Sequence, residues 1–141
     1  MELGICPDTI VGHSNGEYIA AVVSGIMSMD DAVKLLKARA ELMEKLPEGA
    51  MINIAAPEDK VTEMLEDGVS IGAVNAPGRI MVTGRRDAMD KFEEKLKAAE
   101  MMYSSMRVNR ASHCSIMQDI SEEYLEMLNK VSFSKPKMKK Q

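Results

Sequence analysis

The sequence is poor in several residue types that carry particular functions. It has no tryptophan, 2 histidines and 2 cysteines among 141 residues. Cys6 and Cys114 are far apart and match no metal-binding or redox spacing, so we interpret them as reduced thiols of a cytoplasmic protein. The net charge of −4 gives no support for nucleic-acid binding. No hydrophobic run is long enough to span a membrane, and residues 1–6 do not resemble a signal peptide.

Methionine, in contrast, is abundant. The 14 methionines are scattered along the chain, mostly at the spacing of a helix core, so we interpret them as adaptable core filler rather than metal ligands. With 45% hydrophobic and 28% charged residues, the composition is typical of a globular domain with a real core.

One stretch near the start combines a strand, a tight turn and a helix. The β-branched run 9–11 leads into Gly12-His13-Ser14-Asn15-Gly16, and an apolar helix pattern follows over 16–24. This context is typical of a nucleophile elbow, which exposes the hydroxyl of its serine. We expect both glycines to be required because the backbone approaches the serine closely. The helix start would offer N–H groups to an oxyanion. A chance Gly-x-Ser-x-Gly in a surface loop is the alternative.

The second informative residue is an arginine on an apolar helix face. We predict a helix from about Asp30 to Leu46, ending before Pro47. Arg39 falls in the middle of its apolar stripe, which consists of Ala32, Leu35, Leu36, Leu42, Met43 and Leu46. A buried guanidinium needs a partner. That partner is either structural, such as a carboxylate or carbonyl group of the chain, or the carboxylate of a bound substrate.

From residue 50 the pattern changes to short alternating elements. The predicted order is β-α-β-β-α-β, which is typical of the ferredoxin-like arrangement. The strands are predicted at 50–56, 69–74, 79–83 and 103–108, and the helices at 57–67 and 86–99.

A last predicted helix covers residues 115–130, and a basic tail, 135–141, is expected to be solvated and mobile. His113 lies just before this helix, at the seam between the small subdomain and the returning C-terminal segment. A histidine at such a seam is a cap or a satisfied core residue, or it is the base that a serine nucleophile needs.

Together these motifs resemble the malonyl-CoA:acyl-carrier-protein transacylase family, which includes the acyltransferase domains of polyketide synthases. The resemblance rests on four segments in order, namely 12–18, 37–43, 74–77 and 112–117. It implies an α/β fold: a portion of an α/β-hydrolase-like large subdomain with an inserted ferredoxin-like (βαββαβ) small subdomain. The implied parts are the nucleophile-elbow part at 1–49, the small subdomain at 50–109, and the returning segment with the catalytic histidine at 110–141.

The resemblance also implies a reaction. A malonyl or substituted malonyl unit would pass from coenzyme A to the phosphopantetheine thiol of an acyl carrier protein, in polyketide or fatty-acid synthesis. Ser14 would be the nucleophile, His113 the general base and then acid, and Arg39 the partner of the free carboxylate. The coenzyme A thioester is a substrate, and no bound cofactor or metal is implied. The remaining implied binding residues are Asn15, through its backbone N–H in the oxyanion hole, and His13 and Asn75, which support the acyl site.

Finally, the resemblance implies that the chain is the central portion of such an enzyme, within a larger synthase or acyltransferase chain. The family's glutamine segment, which completes the oxyanion hole, is absent, and we expect exposed apolar helix faces. Two alternatives remain. One is a serine hydrolase on the same scaffold, against which Arg39 argues, and the other is a truncated fragment that folds or docks without turnover.

Overall fold

The structure is a computed structural model that describes residues 7–137 and 139–140. Contacts divide the chain into two compact units. The first unit comprises residues 1–42 and 122–141, and the second comprises residues 43–121. The interpretation of Cys6, and that of residues 1–6, lies outside the described residues. The domain limits inferred from the sequence, 49/50 and 109/110, stay a prediction.

Helices and strands alternate along the chain, as the predicted α/β class requires. In order they are β1 (Thr9–Ile10), α1 (Gly16–Val23), α2 (Met29–Glu44), β2 (Gly49–Ile54), α3 (Glu58–Met64), β3 (Val69–Ala76), β4 (Arg79–Arg85), α4 (Arg86–Ala98), β5 (Tyr103–Ser105), a 3₁₀ helix (Ser115–Ile120), α5 (Ser121–Leu128) and β6 (Lys139–Lys140).

In the first unit, the two ends of the described chain pair with each other. β1 and β6 are parallel, with Thr9 opposite Lys139. The segment before β6 is also fixed, because the N–H of Ser134 donates to the carbonyl of Ile26 at 2.8 Å and that of Lys137 donates to Ser24 at 2.7 Å. For the predicted tail, 135–141, mobility is therefore wrong at Lys137 and at Lys139–Lys140, while the exposed side chains of 135–137 agree with a solvated segment. Met138 and Gln141 lie outside the described part.

The first unit buries part of its apolar side chains and leaves others exposed. Ala20 and Ala21 of α1 are buried, as are Ala32 and Leu35 of α2. Large apolar side chains remain exposed, as expected from the sequence: Val11, Ile19, Val33, Leu125 and Phe133. Apolar surface of this kind is typical of a face that another element covers.

The second unit is built on one antiparallel sheet. The strand order is β3-β4-β2-β5, and β2 pairs with β4 along the whole length of β2, from Gly49 opposite Arg85 to Ile54 opposite Ile80. Because side chains alternate along a strand, each strand presents one set of residues to each face. One set packs against α3 and α4 in a core that includes Ile52, Ile54, Ile80, Val82, Val61, Met89, Phe92 and Leu96.

Two predicted helices differ from the structure. α3 ends at Met64 instead of residue 67, because Leu65 is already extended and the ammonium of Lys95 donates to the Met64 carbonyl at 2.9 Å. The helix predicted at 115–130 is a 3₁₀ helix followed by α5. Its break lies where the Ser121 hydroxyl donates to the Gln118 carbonyl at 2.7 Å, a bond that competes with regular helix geometry.

The methionines are only partly core residues. Met51, Met81 and Met89 are buried, but Met29 is 64% exposed and Met102 is 74% exposed. The interpretation of methionine as core filler is therefore correct for the second unit's sheet and for α4, and it is wrong for these exposed positions.

Candidate functional site

Ser14 occupies a strained turn between β1 and α1. Its φ angle is +53°, a left-handed conformation that a non-glycine residue rarely adopts. The turn is closed by two backbone hydrogen bonds, from Gly16 N–H to the His13 carbonyl at 2.8 Å and from Glu17 N–H to the Ser14 carbonyl at 3.0 Å. Such strain persists only where the surroundings enforce it, and it is common at functional sites. The predicted strand–turn–helix context of Ser14 is present.

The two glycines of this turn are not equivalent. A Cβ on Gly12 would lie 2.5 Å from the nitrogen of Glu17 and 2.6 Å from its Cα, so only glycine fits. A Cβ on Gly16 would meet no atom within 4 Å in the described part of the chain. The expectation that both must lack a side chain is thus correct for Gly12 and wrong for Gly16. Gly16 is already the first residue of α1, and the space beside its Cα is open.

A glutamate to which the sequence patterns assign no role stabilises the turn. The Glu17 carboxylate accepts a hydrogen bond of 3.0 Å from the N–H of Gly12. An acidic residue in the first turn of a helix is a recognisable sequence signal, because it interacts favourably with the helix dipole. Because Glu17 lies in the first turn of α1, only five residues after Gly12, this pattern could have indicated its hydrogen bond to Gly12.

Asn15 and Arg39 are in direct contact. Asn15 is the N-cap residue of α1, and its Oδ1 accepts a hydrogen bond of 2.8 Å from Nη1 of Arg39. The hydrogen bonds at the start of α1 begin with the N–H of Gly16, one residue after Asn15. His13, the residue before Ser14, has an exposed side chain.

Arg39 lies at the edge of the buried stripe of α2, not in its middle. The buried residues of this helix are Ala32, Leu35, Ala38 and Leu42, while Leu36, Met43 and Arg39 itself are half-buried. The predicted stripe is wrong in this respect because the small side chain of Ala38 turns inward. Arg39 therefore keeps its stem in contact with protein and its guanidinium within reach of solvent.

Two tyrosines near Arg39 form a pair that sequence reasoning missed. The hydroxyls of Tyr18 and Tyr124 share a short hydrogen bond. Burial raises the pKa of Tyr124 well above its usual value and the bond to Tyr18 raises it further, while the charge of Arg39 acts in the opposite direction. The phenol of Tyr124 is therefore neutral at physiological pH. No spacing rule links residues of α1 and α5, so the sequence offers no signal for this pair.

His113 lies on the face of the second unit's sheet that α3 and α4 do not cover. Its φ angle is +60°, again in the left-handed region. A Cβ on Gly72 would lie 2.9 Å from Cγ2 of Thr83 and 3.4 Å from Cβ of His113, so the histidine rests where the sheet has no side chain. The preceding residue, Ser112, contacts the sulfur of Met51 at 3.4 Å. The backbone at His113 is thus held by the sheet beneath it.

Asn75 lines a groove of the second unit. The groove has a volume of about 470 Å³, and its polar lining residues are Asn75, Arg79, Asn53 and Ser104. Asn75 belongs to the last part of β3, which continues through Ala76 instead of ending at residue 74 as predicted.

The structure thus brings Ser14, Asn15 and Arg39 together within the first unit, and it describes His113 and Asn75 within the second. No group of three or more His, Cys, Asp or Glu residues that could hold a metal is found in residues 7–137 and 139–140. No helix of the described chain is long and apolar enough to cross a membrane. A cytoplasmic location stays a prediction.

Comparison with known proteins identifies the class to which this fold and this turn belong. The sequence model of the acyl transferase domain family matches residues 2–141. The chain therefore belongs to the acyl transferase domain family, which confirms the resemblance inferred from the sequence.

Individual relatives agree with this assignment. The chain is 35% identical to a phenolphthiocerol synthesis polyketide synthase type I of Mycobacterium marinum. The alignment covers 136 residues, which are 96% of this chain and 6% of that protein. It matches the acyl transferase domain of SpnD, solved in complex with 2-(pent-4-yn-1-yl)malonyl, with a TM-score of 0.93, 32% identity and coverage of 99% of this chain and 34% of that one. A malonyl CoA-acyl carrier protein transacylase from Coxiella burnetii matches with a TM-score of 0.87, 27% identity and coverage of 97% and 46%. The chain spans less than half the length of each of these proteins.

Proposed function

We propose that this chain carries the nucleophile and the carboxylate-binding arginine of an acyltransferase that moves a malonyl-type unit from coenzyme A to an acyl carrier protein. The observation that carries the proposal is the contact between Asn15, the residue after the strained Ser14, and the guanidinium of Arg39. A cation beside a nucleophile suits an acyl group that ends in a carboxylate. The family membership and the transacylase among the relatives support the same reaction.

The reaction would proceed in two half-reactions through a serine ester. The imidazole of His113 takes the proton of the Ser14 hydroxyl, and the oxygen attacks the thioester carbonyl of malonyl-CoA. The resulting oxyanion accepts a hydrogen bond from the N–H of Asn15 at the start of α1. The carbon–sulfur bond then breaks, and coenzyme A leaves as a thiol with the proton from His113. In the second half, His113 takes the proton of the carrier protein's thiol, the sulfur attacks the ester, and Ser14 regains its proton.

Selectivity for a dicarboxylic unit would come from Arg39. An uncharged acyl group would leave the guanidinium without a partner on its substrate side, whereas a malonyl carboxylate would accept two parallel hydrogen bonds from it. His13 and Asn75 would support the bound acyl group. Because this chemistry uses only side chains and backbone groups, we propose that it needs no bound cofactor.

The finer fold assignment is part of the same proposal. The strand order β3-β4-β2-β5, with α3 and α4 packed on one face, supports a ferredoxin-like second unit. The parallel pair of β1 and β6 beside the turn at Ser14 supports a portion of a hydrolase-like first unit. The exposed apolar residues of the first unit are consistent with a place in a larger synthase or acyltransferase chain.

Intact-mass measurement tests the reaction directly. The chain is incubated separately with malonyl-CoA and acetyl-CoA, alongside Ser14→Ala and Arg39→Ala variants. We expect a malonyl adduct that is absent in Ser14→Ala, and a loss of the preference for malonyl over acetyl in Arg39→Ala of at least about tenfold. Absence of any adduct would contradict the proposal and favour a fragment without turnover. Rapid release of free malonate without a carrier protein would favour a hydrolase.

A further inference from the structure

The side chain of Asn15 is used in an unusual way for its position. An asparagine at a helix N-cap commonly accepts a hydrogen bond from an N–H in the first turn. Here the structure shows no such cap bond on α1. The Oδ1 of Asn15 instead accepts a hydrogen bond of 2.8 Å from Arg39, which lies 24 residues further along the chain. The side-chain oxygen of Asn15 therefore bonds to Arg39 of α2 and not to an N–H of α1.

This bond has consequences for what the guanidinium can do. A guanidinium has five N–H donors in a planar fork, and the bond to Asn15 uses one donor on Nη1. Within the described residues Arg39 makes no second hydrogen bond, so its remaining donors can bind a further partner. Because the amide is neutral, it orients Arg39 without cancelling the positive charge, which a carboxylate in the same place would do.

The bond also restricts a side chain that would otherwise be mobile. Arginine has many rotamers, and only a half-buried stem holds Arg39 against α2. One hydrogen bond to a residue of the strained turn ties the orientation of the guanidinium to the position of Ser14. The hydroxyls of Tyr18 and Tyr124, near Arg39, are bonded to each other.

We propose that the side chain of Asn15 is a positioning residue, which holds Arg39 so that its free N–H groups face the carboxylate of an acyl unit bound at Ser14. This role rests on the proposed function, and it extends that function to the origin of acyl selectivity. Asn15 thus acts twice, through its backbone N–H toward the oxyanion and through its side chain toward the arginine.

Two measurements on the same set of variants test this role. The variants are Asn15→Leu, which removes the acceptor, Asn15→Asp, which supplies a competing charge, and Asn15→Gln, which keeps the amide. Lys37→Leu is the matched control, because it removes an exposed cation of α2 that pairs with Glu41 at 3.7 Å. The first measurement is the ratio of malonyl to acetyl loading by intact mass. The second is a titration of each ¹⁵N-arginine-labelled variant with monomethyl malonate, followed at the Arg39 Nε–H signal by NMR.

We expect Asn15→Leu to lower both the loading ratio and the affinity for monomethyl malonate by about tenfold. Asn15→Asp should lower both further because its carboxylate occupies Arg39. Asn15→Gln should restore part of the loss, and Lys37→Leu should behave as the wild type.

The outcomes separate this role from the reaction itself. Normal malonyl preference in Asn15→Leu would overturn the positioning role and leave the proposed function intact. Asn15-dependent binding of monomethyl malonate without any Ser14 adduct would support the positioning role and overturn the proposed function. A wild-type chain that neither binds the monoester nor forms an adduct would overturn both. Thermal unfolding of each variant shows whether it is folded, and Asn15→Gln supplies a second test if Asn15→Leu is not.

Discussion

The close approach of the backbone at Gly12 leads to a prediction that can be worked out from the structure. In Gly12→Ala, the new Cβ would lie 2.5–2.6 Å from three backbone atoms of Gly16 and Glu17, whereas ordinary van der Waals contacts are 3.4–4 Å. Because all three atoms belong to the backbone, no side chain can move to relieve the clash. The turn would have to open by roughly 1 Å.

The expected loss of stability follows from the free-energy cost of opening the turn. Overpacking a tight site typically destabilises a protein by about 1–3 kcal/mol, and a clash with rigid backbone belongs at the upper end. The displacement also threatens the hydrogen bond of 3.0 Å from Gly12 to the Glu17 carboxylate. We therefore expect Gly12→Ala to destabilise the first unit by about 3 kcal/mol.

Gly16→Ala is the matched control in the same turn. Its Cβ would meet no atom within 4 Å among the described residues, and Gly16 is the first residue of α1. Alanine is the stronger helix former, so this variant should be neutral or more stable by up to about 1 kcal/mol.

Native-state hydrogen exchange measures both effects unit by unit. Amides of α1 should lose protection by about a hundredfold in Gly12→Ala, while those of β2 and β4 in the second unit keep theirs. Adduct formation with malonyl-CoA should fall in parallel. The reasoning is refuted if Gly12→Ala is as protected as the wild type, or if Gly16→Ala is equally damaged.

Two further predictions concern α2 and the second unit. The Ser28 hydroxyl accepts a hydrogen bond of 3.1 Å from the N–H of Asp31 and donates one of 2.8 Å to its carboxylate, so Ser28→Ala should lower the free energy of unfolding by about 1 kcal/mol at pH 7. The bond to Ser28, and then the ammonium of Lys34, lower the pKa of Asp31. The part of the stabilisation that comes from the hydroxyl–carboxylate bond is therefore present above the ordinary aspartate pKa of about 4 and is lost as the pH falls through the lowered value, whereas the cap bond from the N–H of Asp31 does not titrate. In denaturant titrations, the difference in free energy of unfolding between Ser28→Ala and the wild type should be smaller at pH 3 than at pH 7. An unchanged difference would contradict the hydrogen bond between Ser28 and the Asp31 carboxylate. In Gly72→Ala, the new Cβ would lie 2.9 Å from Cγ2 of Thr83, a β-branched side chain that cannot easily move. We expect the free energy of unfolding to fall by about 1–3 kcal/mol and the NMR signals of the His113 ring to shift. Unshifted signals would contradict the placement of His113 over Gly72.

The features that sequence reasoning predicted correctly depend on local patterns. The turn around Ser14 follows from β-branched residues, small residues and an apolar helix in a fixed order. The core of the second unit follows from apolar strand runs and from the apolar positions of α4, of which Met89, Phe92 and Leu96 are buried. Ala99 continues the same helical spacing, but it is the C-cap residue and is exposed.

The features that were missed depend on contacts between distant residues. α3 ends where the ammonium of Lys95 donates a hydrogen bond to the carbonyl of Met64, its last residue. No pattern within the sequence of α3 indicates this contact. The partner of Arg39 was left open between a structural group and a substrate because Asn15 lies 24 residues away. The structure supplies a neutral partner from the chain, the side chain of Asn15, which leaves the positive charge of Arg39 uncancelled by that contact. A local signal was overlooked in one case: Ser121-Glu122-Glu123 is a recognisable helix start, and α5 begins there.

The pairing of β1 with β6 has a consequence for the order in which the protein folds. The second unit is one continuous segment, 43–121, and all the strands that pair in its sheet lie within that segment. The first unit needs both ends of the described chain, because Thr9 pairs with Lys139. Contacts between residues so far apart form slowly, since a long loop must close before they contribute. During synthesis on the ribosome, we therefore expect the segment that bears His113 to fold first, and the strand that leads to Ser14 to find its partner only after residues 139–140 have emerged.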